Sequence, residues 1–436
     1  MSGRIKLSEL LAPIEGILRS LPDHRRGANK QYTLVDAGMS AFSVFYMQAP
    51  SFLEWQKRME RAKGRNNARS LFGIKRIPSA EQIRNLLDPV PEESLEEAFW
   101  ALWAKIKSRE EVEMYRKELG SFLVSVDGTA HHHSQSIHCE QCRRIERRGR
   151  VHYEHQVLMA VVCAPEQKVV LSLAPEFITP QDGAKKQDSE QAALKRWIEK
   201  HSHRFADWEV TLLADDLHCH QPVCELALAH KMHFIFTCKV SSHTTLYEEL
   251  QLLEKLEGGV HQGEERRWNG RYWERRVYRW TEALPLRRGK EALLVNWCEL
   301  SIYREETGKR IYYGAWATDH TLSEENIAAI TAAGRGRWKV ENEGNNVLKR
   351  HGYQFEHNYG HGRQHLSNVL LPFLLLAFLI HSIFDLVDDK YQAVRQELGS
   401  RREFFASLRT LTRFQFFRTW EHLLIYMFYG LELAPG

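Results

Sequence analysis

FLVSVDGT (122–129) is the stretch on which the reading of this chain turns. Five apolar or small residues in a row read as a buried strand, and the acid at 127 falls at its carboxyl end. A second stretch has the same form: WEVTLLADD (208–216) reads as a strand closed by Asp215 and Asp216. Around these two, VLMAVVC (157–163), KVVLSL (168–173) and HFIFTCKV (233–240) read as further strands, with helices expected over 188–201 and 221–230. Three strands followed by alternating helix and strand predict a mixed α/β sheet. In such sheets, sites assemble at the carboxyl ends of strands.

The flanking regions read differently. Residues 1–115 are helical in pattern, with apolar spacing over 33–47 and 94–106. Residues 57–76 carry eight basic side chains against the single acid Glu60, and Ser79-x-x-Gln82 then has the form of a capping box opening a helix to Leu87, ended by Pro89. Such a stretch suits contact with a DNA backbone or, equally, a solvated face. Residues 258–313 are rich in Arg, Trp, Tyr and Val in short alternating runs, which predicts antiparallel hairpins. Helical patterns return over 323–349, 366–386 and 404–429. The expected units are a helical, DNA-binding region 1–115, a catalytic unit of 116–240 and 323–390 interrupted by a β-rich insertion at 241–322, and a helical segment 391–436.

Composition narrows the function classes. The 436 residues are 43% hydrophobic and 27% charged, which excludes a disordered or low-complexity chain. Sixty Lys and Arg against 56 Asp and Glu leave a net charge of +4, too small to mark a nucleic-acid binder without regard to distribution. Seven Cys need no disulfide framework. No secretory signal is visible at the N-terminus, and the uninterrupted apolar run 369–380 is shorter than a membrane span. A cytoplasmic protein is expected.

A third carboxylate completes the pattern. In RGRWKVENEGNNVLKR (335–350), Arg337, Glu341 and Asn345 share one face of a helix at i, i+4 spacing. One Asp after a strand reads alone as a turn residue. Two strand-end Asp with a helical Glu read as a divalent-metal site: Mg²⁺ prefers carboxylate oxygen, and a pair of ions serves both oxygens of a phosphoryl displacement.

The stretches SVDGT (125–129), 174–197, LLADDLHC (212–219) and RWKVENEGNNVLKRHGYQFEHNYGHG (337–362) resemble the bacterial insertion-sequence transposases of the DDE class, which have a ribonuclease H-like catalytic domain. The resemblance covers most of residues 120–380. It implies a ribonuclease H-like mixed sheet and metal-dependent cleavage and joining of DNA. It further implies Asp127, Asp215 and Glu341 as catalytic ligands of Mg²⁺ or Mn²⁺, two ions in all, and a homodimer on the transposon ends. Asp215 is preferred to Asp216 because Asp-x-x-His parallels the family's Asp-x-x-Tyr. Glu341 is preferred to Glu343 because it has Arg337 four residues before it and follows Trp-x-Val. Arg337 matches the family's Arg before the Glu. Lys349 stands one residue beyond the family's Lys, and Gly334 replaces the leading Tyr. Arg337 and Lys349 would contact DNA.

Two further groups stand out. Cys139-x-x-Cys142, among several His, has zinc-ligand spacing, with His152 as a third ligand; the alternative is a polar loop with reduced thiols. His155 precedes the second strand and is placed near the metal site instead. In the insertion, Arg271, Trp273 and Arg275 belong to a run interleaving bases with aromatics, suited to phosphate contact and base stacking, or to a hairpin with its aromatics packed inward.

Overall fold

The computed structural model describes residues 5–26, 30–180 and 189–433. It is a mixed α/β protein with one large sheet. Its strands are β1 (Phe122–Ser134), β2 (Arg143–Arg147), β3 (Arg150–Cys163), β4 (Leu171–Ser172), β5 (Glu176–Ile178), β6 (Val210–Ala214), β7 (His233–Thr237), β8 (His261–Trp268), β9 (Trp273–Pro285), β10 (Leu294–Arg304) and β11 (Arg310–Thr318). Their order is β2-β3-β1-β6-β7-β11-β10-β9-β8, with β4 and β5 also pairing with β3. β1, β6 and β7 are parallel, and β3 runs antiparallel to β1. The segments of β1 and β6 that pair in parallel are apolar, as expected for strands covered on both faces: Phe122 to Val126 and every residue of β6 are buried.

Two features depart from the expected pattern. β1 does not stop at Asp127 but continues to Ser134, with a bulge between Ala130 and His132. The β-rich insertion is not a separate body. β11 pairs with β7, so β8 to β11 prolong the same sheet and cover what would otherwise be its open edge. Helices Glu190–His201 and Gln221–Ala229 occur where expected, although Asp188, the expected first residue of the former, lies outside the described residues, as do 181–187.

The N-terminal region is helical. Thr33 caps helix Leu34–Tyr46: its Oγ1 accepts from Asp36 N at 3.0 Å, and Asp36 Oδ2 accepts from Thr33 N at 3.2 Å. Asp36 Oδ1 also accepts the backbone N–H groups of Lys75 and Arg76, anchoring the end of the basic stretch. Ser79 caps helix Ala80–Leu87. This layer shares its core with the C-terminal third. Helix Leu366–Val387 packs on Leu34–Tyr46, and the Asn67 side chain bonds the backbone of Thr412, Gln415 and Phe417. Leu366–Val387 is long and apolar enough to cross a membrane, yet 89% of its most apolar window is buried inside the protein. It is the central core helix on which both halves pack. The C-terminal pattern resolves into helices Arg401–Phe414 and Trp420–Gly430.

Candidate functional site

The parallel register of β1 and β6 sets the site. Ser125 pairs with Leu213, so Asp127 and Asp215 each stand two residues beyond the same rung, at the carboxyl ends of adjacent strands. Neighbouring strands lie about 4.8 Å apart, so the two carboxylates start from equivalent positions on one side of the sheet. Asp127 is half-buried, and the Asp215 side chain is 43% exposed.

Glu341 arrives from above. The continuous helix expected over 335–350 is broken: an α-helix, Ile327–Gly336, gives way to a π-helical turn, Val340–Asn345, followed by a short helix, Asn346–Arg350. Wide turns of this kind insert a residue into the helical ladder and recur at functional sites. The segment lies across the strands. Ser125 Oγ donates to Arg337 O at 2.7 Å, and a Cβ on Gly336 would touch Leu213 at 3.7 Å. Within it, Arg337 pairs with Glu341 at 2.8 Å, and Asn345 Nδ2 donates to Asp127 Oδ2 at 3.0 Å. The three residues expected on one helical face therefore do converge, although through a π-turn.

The charges of these acids act on one another. Burial, and then the charge of Glu341, push the Asp127 carboxyl up to about 7, with Glu190 and Asp215 adding to the effect and Arg337 opposing it. Glu190, the first residue of helix Glu190–His201, is a fourth acid at this place. Burial and Asp215 raise its pKa, while a bond from the Gly128 backbone lowers it. A Cβ on Gly128 would lie 2.2 Å from Glu190 Cδ, so only glycine after Asp127 lets that carboxylate approach. Like charges acting on one another in this way repel, and a divalent cation bound among them would relieve the repulsion.

The two rival acids are placed differently. Asp216 is 9% exposed and committed to the fold: its carboxylate accepts from Lys239 N at 2.6 Å and Ser242 Oγ at 2.5 Å, with His243 Nε2 at 3.3 Å. Asp215 accepts a local bond from Leu217 N at 3.0 Å, with His218 Nε2 at 4.0 Å, and its side chain stays 43% exposed. Glu343 is not among the charges that most affect Asp127; Glu341 leads them.

Other expected site residues lie elsewhere. Lys349 is in an ion pair with Glu356 at 2.9 Å. Arg271 is exposed at the β8–β9 turn. Trp273 faces Trp268 across that hairpin with ring centres 5.6 Å apart, and both rings are about half exposed. Arg275 pairs with Glu264, Arg276 with Glu274, and Arg279 with Glu254 and Glu299, so much of the basic run is already neutralised by neighbours. Tyr278 and Trp280 point inward and are buried.

The cysteine pair needs a correction. His152 is not a partner of Cys139 and Cys142; its Nδ1 lies 3.1 Å from His133 Nε2 on an exposed face. His152 and His155 are three apart on β3 and so point to opposite sides of the sheet. It is His155, with His361 from the segment after the Glu341 turn, that meets the two thiols. His155 is thus in this cluster rather than among the acids. Glu190 and His361 were not legible as partners because each depends on a contact distant in sequence. The one local signal was Ser189, a helix cap that presents the following acid at an N-terminus.

No family model matches the chain, and no curated protein matches it. Among solved structures, a piggyBac transposase in a synaptic complex with hairpin DNA, determined by cryo-EM, aligns with a TM-score of 0.40 at 10% identity, covering 99% of this chain and 82% of that one. A likeness of that degree specifies neither the activity of this chain nor its ligands.

Proposed function

We propose that the protein is a DNA transposase of the DDE class, acting as a homodimer on the ends of a bacterial insertion sequence in the cytoplasm. The observation that carries the reading is the equivalence of Asp127 and Asp215 on adjacent parallel strands beneath a turn whose Glu341 charge acts on Asp127. The sheet order around the site, β5-β3-β1-β6-β7 with only β3 reversed against the other four strands, supports a ribonuclease H-like catalytic unit.

Asp127, Asp215 and Glu341 would hold the Mg²⁺ or Mn²⁺ ions, with Glu190 beside them. Such ions polarise a phosphodiester and lower the pKa of water, so that cleavage and joining of strands need no covalent bond to the protein. Asn345 holds Asp127 in place, and Arg337 holds Glu341 while offering a cation to a phosphate oxygen. The 3′-hydroxyl freed by cleavage would attack target DNA at the same acids. Arg271 and the exposed Trp268–Trp273 pair would meet DNA at the hairpin tip.

The test is cleavage of a supercoiled plasmid carrying the element's ends, with Mg²⁺ or Mn²⁺, for wild type, Glu341→Gln and Glu343→Gln. Metal-dependent cutting at the ends, abolished only by Glu341→Gln, supports the reading, and joined products separate a transposase from a plain nuclease. Binding without cutting by the wild type would leave a catalytically silent DNA-binding protein.

A further inference from the structure

We propose that Cys139, Cys142, His155 and His361 bind one structural zinc ion, which fastens the segment following the Glu341 turn to the central sheet. The four donors come from three places: the turn between β1 and β2, strand β3, and the loop leading into the core helix Leu366–Val387. All four ligand atoms lie within 4.8 Å of one another, and three of the four residues are buried.

The separations have the right pattern. Tetrahedral zinc with bonds of about 2.3 Å to sulfur and about 2.0–2.1 Å to nitrogen requires edges of about 3.8 Å between sulfurs, about 3.5 Å between sulfur and nitrogen, and about 3.3 Å between nitrogens. The sulfurs of Cys139 and Cys142 are 3.9 Å apart. His155 Nε2 is 3.5 and 3.2 Å from the two sulfurs, and His361 Nε2 is 3.4 Å from Cys142 Sγ. The two Nε2 atoms are 3.1 Å apart. A disulfide would need the sulfurs about 2.05 Å apart.

The surroundings also suit a ligated ion. Cys139 N lies 3.4 Å from Cys142 Sγ, a donor for a thiolate. His361 Nδ1 donates to Gly362 O at 3.2 Å, which leaves Nε2 as the ligand atom. The loop is built to present His361: Gly362 has φ 71°, and a Cβ there would lie 2.1 Å from Asp88 Oδ1. Asp88 in turn accepts the backbone N–H groups of Arg363, Gln364 and Leu366. Two thiolates balance the 2+ charge, four protein donors leave no open position, and the two thiol protons go to solvent on binding. His155 is four residues from Met159, the partner of Asp127, so the ion sits roughly 13 Å along the strand from the acids. It is a staple, separate from the catalytic metals.

Metal analysis of the purified full-length protein should give one zinc per chain that survives gel filtration. After removal of zinc under reducing conditions, Co²⁺ should produce the intense visible d–d bands of a tetrahedral site and a thiolate charge-transfer band. Cys142→Ser should abolish both, whereas His152→Ala should keep both. His361→Cys should keep a tetrahedral spectrum and strengthen the charge-transfer band, a readout that survives if Cys142→Ser fails to fold. The proposal is overturned if wild-type protein with two free thiols at 139 and 142 takes up neither ion, if those thiols prove oxidised to a disulfide, or if His152→Ala loses the metal.

Discussion

Asn345 Nδ2 donates a 3.0 Å hydrogen bond to Oδ2 of Asp127 across 218 residues of sequence. That bond joins the turn carrying Glu341 to the strand carrying Asp127. Replacing it with Asn345→Ala frees both acids to drift. Loss of such a supporting bond lowers activity or metal affinity about 10–100-fold. The expected result is a higher Mn²⁺ half-saturation for cleavage with DNA affinity unchanged. Unaltered metal dependence would deny Asn345 a positioning role.

Asp127 is strained by its surroundings when no metal is present. Burial and the charges of Glu341, Glu190 and Asp215 all oppose its ionisation. Asp127→Asn removes one charge and keeps an acceptor for Asn345. In metal-free buffer this variant should unfold at a temperature about 1–3 °C higher than wild type. Added Mn²⁺ should stabilise wild type and leave the variant unmoved. A lower midpoint in the variant would show that the acids are not in conflict.

Glu190 and Asp216 should separate by phenotype. Glu190→Gln removes one of these repelling charges and no buried contact of the core, so it should reduce metal-dependent cleavage about tenfold without lowering the thermal midpoint. Asp216→Asn turns an amide N–H toward groups that donate to it, and a mismatch of this kind costs about 2–3 kcal/mol. Thermal unfolding and cleavage measured on the same preparations decide between the two effects.

Acid should destabilise the protein partly through His201. Its ring is fully buried beside Trp100 and Trp197, and its two nitrogens have no hydrogen-bond partner among the described residues. Burial, and then the cations Lys200 and Arg204, bring it down to about 3; Glu96, 3.6 Å away, is already paired with Lys200. With the folded value depressed, the unfolded chain takes up the proton first. Stability is whole above about 6.5 and falls below it by about 1.4 kcal/mol per pH unit from this group. His201→Phe should flatten the loss between pH 7 and 5 in denaturant unfolding. Identical slopes in the two proteins would remove His201 from the account.

Much of the sheet was legible locally. Runs such as FLVSV and VTLLA are buried on both faces, so their composition alone marks them as interior strands. The helix caps at Thr33, Ser79 and Ser189 were equally local, since a cap bonds an N–H two or three residues on. The break at Glu341 was not legible. A π-turn and an α-helix carry the same apolar spacing over so few residues, and it is packing on β1 and β3 that distinguishes them. Nor was it legible that the helical segment 391–436 joins the start of the chain through Asn67, whose side chain bonds the backbone of Thr412 and Gln415.

The residue types and their order along the chain were set by the sequence: an acid after each of two buried strands, a third beside an Arg, and a Cys-x-x-Cys turn. Which side chains meet was decided only by tertiary structure. The β1–β6 register brings Asp127 level with Asp215, the close approach at Gly128 admits Glu190, and the loop at Gly362 carries His361 to His155 rather than leaving the cysteines to His152. The physical reason is range. Strand and cap preferences act through neighbours a few residues apart, whereas ligand sets are assembled by packing between segments more than 200 residues distant, and nothing local records that distance.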